Sequence, residues 1–420
     1  MTKYLNNALW AVVDKFFVLF GSLIAYVLVS RHLGPEELGK ITFGVAISAL
    51  GVTLSQWGAN HTIFNTTIKN KYRSRSYIYS TSKSRFSIYI VFWMLSSLCV
   101  YFINSNLYDV ALISMVIFSH IFLAMDVYQF YLDGSLMSKI NARSNFVARF
   151  FSTVTRLVFV VASLNVYWFV IPFFINNALL YLIRKRKVPK PKYYSDKKFE
   201  ASYFFLGRYF VLSGVFAFIY TKINEIFLAT FSGFESSGAL SVAITLGFAF
   251  TFIPTALGTT YLNKALSSKN SDNCILFSFV NSIMIAAYCP VILVLYFLGE
   301  DIVLFLLGNE YEQIGSYVWV LSIVGLLSSL GVINNKIIGN FPNGSKYLFH
   351  KVVLSSFISI PISYFMILEL NLEGAIYSLV IIEILSLTLF NYLFNKGMVL
   401  KVHVGIIKSH PVLIYNYLRG

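Results

Sequence analysis

Apolar residues along the 420-residue chain gather into twelve runs, near 10–29, 40–62, 86–103, 108–132, 146–164, 167–183, 203–231, 237–262, 274–298, 313–335, 349–368 and 373–395. Polar residues are largely confined to the gaps between them. Most runs approach the ~20 residues an α-helix needs to cross a ~30 Å hydrocarbon core. They exceed the ~10 residues of a barrel strand and do not alternate, so helices are required to satisfy the backbone inside lipid. Pro172, Pro254, Pro290 and Pro361 fall inside runs and are expected as kinks, because neighbouring helices can satisfy the carbonyls they free. The first run follows Lys3 and continues to Arg31 without a small-residue cleavage site. It reads as a retained span rather than a signal peptide.

Composition agrees with the pattern. The chain is 57% hydrophobic and 12% charged, against roughly 25% charged in a soluble domain. Its mean hydropathy is +0.70. Soluble, disordered, collagen-like and disulfide-scaffold classes are excluded, leaving an all-α polytopic membrane protein. Cys99, Cys274 and Cys289 sit singly in apolar runs and read as reduced packing residues without metal-ligand spacing. No cofactor or metal is expected.

The net charge of +15 is explained by where the charges lie. With the N-terminus in the cytoplasm, 27 of the 33 basic residues fall on inside segments, only Arg31 and Lys40 fall outside, and Lys15, Arg156, Arg208 and Lys222 lie within spans. The outside loops collect acids instead, among them Glu36, Glu37, Asp109, Glu235, Glu300 and Asp301. This is the positive-inside pattern, and it places both termini in the cytoplasm. The excess charge serves topology against an anionic inner leaflet rather than a nucleic-acid partner.

The longest polar stretch, Arg184 to Glu200, carries Pro189 and Pro191 and reads as a basic linker. The expected organisation is an N-terminal lobe over 1–183, the linker over 184–202, a C-terminal lobe over 203–395 and a cytoplasmic tail over 396–420. Sliding the sequence by 199 residues sets Leu33-Gly34-Pro35-Glu36-Glu37-Leu38-Gly39 on Ser232-Gly233-Phe234-Glu235-Ser236-Ser237-Gly238, matching two glycines and a glutamate. Six helices per half make this a parallel repeat with its axis along the membrane normal. Two six-helix lobes around a central cavity is a transporter plan.

At these residues the chain resembles a known group. Arg31-His32-Leu33-Gly34-Pro35-Glu36-Glu37-Leu38-Gly39 resembles the LGPxxxG turn after the first helix of polysaccharide flippases in the multidrug/oligosaccharidyl-lipid/polysaccharide exporter superfamily. Leu307-Gly308-Asn309-Glu310-Tyr311 resembles the GxxY segment that opens their tenth helix. In its low sequence complexity, with 40 Phe and 28 Tyr, the chain is similar to Wzx-type O-antigen or capsule-unit flippases. The resemblance implies a non-enzymatic transporter of the bacterial inner membrane, active in lipopolysaccharide or capsule biosynthesis. Its implied substrate is an undecaprenyl-pyrophosphate-linked oligosaccharide moved from the inner to the outer leaflet. Its implied partners are membrane lipid and the polymerase and chain-length regulator of the same pathway.

Eight ionisable residues lie inside spans: Asp14, Lys15, Asp126, Arg156, Arg208, Lys222, Glu225 and Glu383. Facing lipid together, they would cost on the order of 20 kcal/mol on insertion scales, so most face the bundle interior or a wet cavity. Four acids against four bases allow them to pair off. The other reading sets the cations against a pyrophosphate, which suits the planar fork of arginine. Arg149, Ser152 and Arg156 form one stripe on the fifth helix. Lys15 and Lys222 lie on repeat-related helices 1 and 7, about 12 Å apart in depth. Arg208 lies near the cytoplasmic end, where it can also snorkel.

Helices 2 and 8 carry matching stripes, Thr53/Gln56/Asn60 and Thr251/Thr255/Thr259. These read either as interhelical hydrogen bonds or as a lining for sugars. Asp14, Asp126, Glu225 and Glu383 are candidates for ion coupling. Trp10, Trp57, Trp168 and Trp319 read as interfacial anchors. No Walker A segment is present, so ATP does not drive the chain directly. The competing readings are a drug/cation antiporter of the same superfamily, which the basic residues of helices 1 and 7 oppose, and an O-antigen polymerase. The polymerase would need a large outside loop bearing basic or catalytic groups, whereas the outside loops here are short and acidic.

Overall fold

Apolar runs shielded from water close their backbone hydrogen bonds within one segment, and helices result. The computed structural model describes the side chains of residues 21–104, 106–191, 197–263, 265–266 and 274–406, and among the described residues every regular element is a helix. Among the described residues, nine helices are long and apolar enough to span, and the bent pair Gly233–Gly247 and Phe252–Asn263, meeting at 48°, makes a tenth. Two of the nine, Gly21–Lys69 and Gly344–Tyr392, are each 49 residues long, more than twice what one crossing takes. The first breaks at Gly34 (φ 74°, ψ 169°) and the second at Asn371 (φ 51°, ψ −121°). Because the first of these helices starts at Thr2 (Thr2–Gln56), each break divides two spans, and the total is twelve.

Packing divides the chain into two compact units, Met1–Phe218 with Gly233–Gly238, and Ile219–Ser232 with Ala239–Gly420. The division falls inside the seventh helix, Asp196–Phe231. Each unit has its own apolar core. The first includes Ile63, Tyr77, Tyr128 and Tyr203, and the second includes Phe277, Met284, Ile333 and Leu387.

The repeated turn has a physical basis in both copies. Gly34 and Gly233 both adopt positive φ, 74° and 88°, a conformation that costs glycine little. The second glycine of each copy permits backbone contact. A Cβ on Gly39 would sit 1.8 Å from the Phe234 carbonyl oxygen, and one on Gly238 would sit 1.9 Å from that of Pro35. The two turns therefore interlock reciprocally, within the first unit. Beside them Lys40 is buried and held by Glu36 (3.1 Å), Glu37 (2.8 Å) and Asp109 (2.9 Å).

Two of the four expected proline kinks are instead helix starts. Pro172 opens Ile171–Lys187 and Pro254 stands in the first turn of Phe252–Ser267, where its missing N–H has no intrahelical partner to lose. Pro290 and Pro361 lie inside their helices. The segment after the twelfth span begins with a helix, Met398–Lys408. Its Met398, Val399 and Val402 are buried in the second unit's core. That helix is too short to span, which is why the apolar pattern passes over it.

Candidate functional site

The fourth span is broken at a carboxylate. Helix Ile121–Met125 ends at Asp126 (φ −82°, ψ 74°), and Tyr128–Gly134 begins just beyond. Asp126 is fully buried and ion-paired with Arg184, itself buried near the end of the sixth span. Arg184 also donates to the Gln129 side-chain oxygen at 3.3 Å and the Asn145 side-chain oxygen at 2.8 Å. A second arginine, Arg85, is 0% exposed and within electrostatic reach of Asp126. It donates to Thr81 and, at 3.0 Å, to the Ile78 carbonyl. The buried Asp126–Arg184 pair fixes spans 4 and 6 to one another, because either partner left unpaired is severely penalised.

The second unit holds charged groups of its own. Glu383, on the twelfth span, accepts a hydrogen bond from the Tyr220 hydroxyl at 2.9 Å. Lys351, buried on the eleventh, donates to the side-chain oxygens of Asn335 and Asn391, both at 2.9 Å. Lys222 pairs with Glu225 one turn on, at 2.5 Å.

The other expected site residues fall as follows. Arg156 lies over the Phe173 ring at 4.8 Å. Ser152 is buried and donates to the Pro172 carbonyl at 2.9 Å, while Arg149 is exposed, so their shared stripe is divided between the sixth span and the surface. Arg208 is exposed and lies against Phe205 and Tyr209 at 4.0 and 4.7 Å. Gln56 donates to the Leu123 carbonyl at 2.9 Å, and Asn60 accepts from the His61 N–H. Thr255 bonds the Thr251 carbonyl and reaches Ser329 at 3.4 Å. Asp14, Lys15 and Trp10 lie outside the described residues.

Sequence reasoning assigns Arg85, Arg184 and Lys351 to loop ends by charge counting, although all three are buried. It also passes over a 390 Å³ hollow at the basic end of the first unit, lined by parts of the second and seventh spans and of the short helix Lys71–Ser80. The residues that line it, His61, Asn65, Lys69 and Arg73 among them, are adjacent to the Gln56/Asn60 stripe.

The sequence pattern of the polysaccharide biosynthesis protein family matches residues 4–262. The chain belongs to that family. No curated protein sequence matches it. Among solved structures, the polysaccharide biosynthesis family chain is similar to lipid II flippase MurJ in an inward closed conformation, with a TM-score of 0.72 and 14% identity over 96% of this chain and 92% of that one. It is also similar to an inward-facing multidrug resistance MATE family transporter of the MOP superfamily, with a TM-score of 0.61 and 12% identity over 97% of this chain and 99% of that one. The fold is accordingly the one shared with both, all-α with twelve transmembrane helices in two six-helix lobes.

Proposed function

We propose that this family member is a flippase that moves undecaprenyl-pyrophosphate-linked oligosaccharide units, of O-antigen or capsule type, from the inner to the outer leaflet of a bacterial inner membrane. The observation that carries this reading is a polysaccharide biosynthesis family sequence on a fold shared, over 96% of the chain, with a lipid II flippase. Its basic ends face the cytoplasm, together with both termini and the 184–202 linker, and lobes 1–183 and 203–395 exchange access between the two faces. Lys15, Arg156 and Lys222 offer the pyrophosphate successive weak contacts, with Lys222 released from Glu225 as the headgroup arrives. The prenyl tail stays in the bilayer, since a polar passage would gain it nothing. Asp14, Asp126, Glu225 and Glu383 are the carboxylates available for ion coupling, and an ion would act by binding one transport state better than the other. Asp126, paired with Arg184, is the least free of them to serve. The polymerase and chain-length regulator of the same pathway would take up the product.

The test is genetic. A strain lacking its own unit flippase strands lipid-linked units on the inner leaflet, and this chain alone should restore their appearance outside. Restored export of small organic cations without restored units would favour the antiporter reading instead.

A further inference from the structure

The hollow at the basic end of the first unit has the chemistry of a binding site. Residues 61, 62, 65, 66 and 69 come from one face of helix Ala59–Lys69, spaced as neighbours one turn apart. Arg73 and Tyr77 come from one face of Lys71–Ser80, and Leu206 and Phe210 from one face of the seventh span. Its 390 Å³ falls in the range of small-molecule pockets, about 300–1,000 Å³.

One wall is cationic. Neither Lys69 nor Arg73 makes an ion pair among the described residues, and no acid lines the hollow. Arg73 is pre-positioned, because its Nε donates to the Tyr77 hydroxyl at 2.7 Å and a terminal nitrogen reaches Ser202 at 3.3 Å. Guanidinium has five donors, so three remain. Another wall is neutral and polar, with the side chains of Asn65 and Thr66. There the Thr62 hydroxyl, in a residue only 5% exposed, has no hydrogen-bond partner among the described residues. A buried hydroxyl without a partner is costly unless something supplies one. The third wall is a flat plate, formed where His61 stacks on Phe210 at 4.5 Å and 15°. The larger cavity of this unit, 530 Å³ beside Trp93, Phe118 and Trp168, offers no cation.

Cations, an unpartnered hydroxyl, an amide and a ring plate together match a sugar phosphate. We infer that this hollow is a loading site that holds the phosphate-bearing first sugar of the lipid-linked substrate before transport. The inference rests on the flippase reading. Lys69 and Arg73 take the diphosphate, while Thr62, Asn65 and the His61–Phe210 plate take the sugar.

The test uses the full chain in nanodiscs of zwitterionic lipid, titrated with radiolabelled undecaprenyl-pyrophosphate-linked N-acetylglucosamine. The Lys69→Gln/Arg73→Gln double variant should weaken binding about a hundredfold, since two charge-assisted contacts are lost. Thr62→Val should weaken it roughly fivefold. Lys71→Gln/Arg75→Gln removes the same charge from neighbouring positions outside the hollow and should leave affinity unchanged. Nanodiscs enriched in phosphatidylglycerol should not compete, and inorganic pyrophosphate should compete weakly. Equal affinity in the hollow and control variants overturns the inference, as does equal competition by phosphatidylglycerol, which would make the hollow a site for ordinary headgroups. In either case wild-type binding and transport persist, so the flippase reading stands. Absence of wild-type binding to the probe overturns both.

Discussion

Replacing Asp126 by asparagine keeps its shape and deletes the negative charge that pairs with Arg184 and lies within electrostatic reach of Arg85. All three side chains are essentially buried, at 0%, 2% and 0% exposure, so water does not compensate. Breaking a buried pair by removing one partner costs about 3–5 kcal/mol. Asp126→Asn strands two guanidinium groups and belongs at the upper end. Arg184→Gln leaves the carboxylate within reach of Arg85 and belongs at the lower end. The double variant removes the charges of the pair together and should cost well under the sum of the two. For a unit of this size each kcal/mol shifts Tm by about 2–4 °C, so the single variants should melt roughly 6–20 °C lower. The assay is heating of detergent-solubilised protein followed by size-exclusion of the monodisperse fraction. The reasoning is refuted if Asp126→Asn melts within about 2 °C of the wild type, or if the two losses simply add.

Other expectations follow from the same geometry. Gly39→Ala and Gly238→Ala each drive a methyl group into a backbone carbonyl and should lower accumulation in the membrane, at a cost of about 1–3 kcal/mol each, whereas Gly21→Ala meets nothing within 4 Å and should be silent. Lys222→Gln should abolish transport at normal protein amount if Lys222 meets pyrophosphate, and full recovery in Lys222→Gln/Glu225→Gln would reduce it to the partner of Glu225. In a background with Cys99, Cys274 and Cys289 replaced, cysteines at Lys187 and Asn309 should label from opposite faces with an impermeant thiol reagent, and labelling of both from the periplasm would break the orientation. A disulfide between cysteines at Glu36 and Glu235, on the interlocked turns, should stop transport reversibly, and undiminished transport with the bond formed would exclude opening at that end.

The features that could be read from sequence were those carried by local spacing. Gly34 and Gly233 are visible because 199 residues separate both them and the pair Gly39 and Gly238, and the same turn geometry recurs in each copy. Lys222 and Glu225 are visible because three residues make one helical turn. The Asp126–Arg184 pair is hidden, because its members are 58 residues apart and Arg184 opens the run Arg184-Lys185-Arg186-Lys187, which counts as a flank. Burial selects the first of those four and leaves the rest outside. The break at Asp126 carries no glycine or proline to announce it. The hollow depends on Phe210 of the seventh span meeting His61 of the second, a tertiary contact with no local trace in either segment.

Transport itself is most directly tested with purified chain in liposomes. The membranes would contain undecaprenyl-pyrophosphate-linked oligosaccharide loaded in the inner leaflet, and an impermeant glycan-cleaving enzyme would be added outside. The flippase account predicts that the protected glycan becomes cleavable in vesicles holding the chain and stays protected in empty ones. Persistent protection in vesicles that nevertheless move a small organic cation would contradict it.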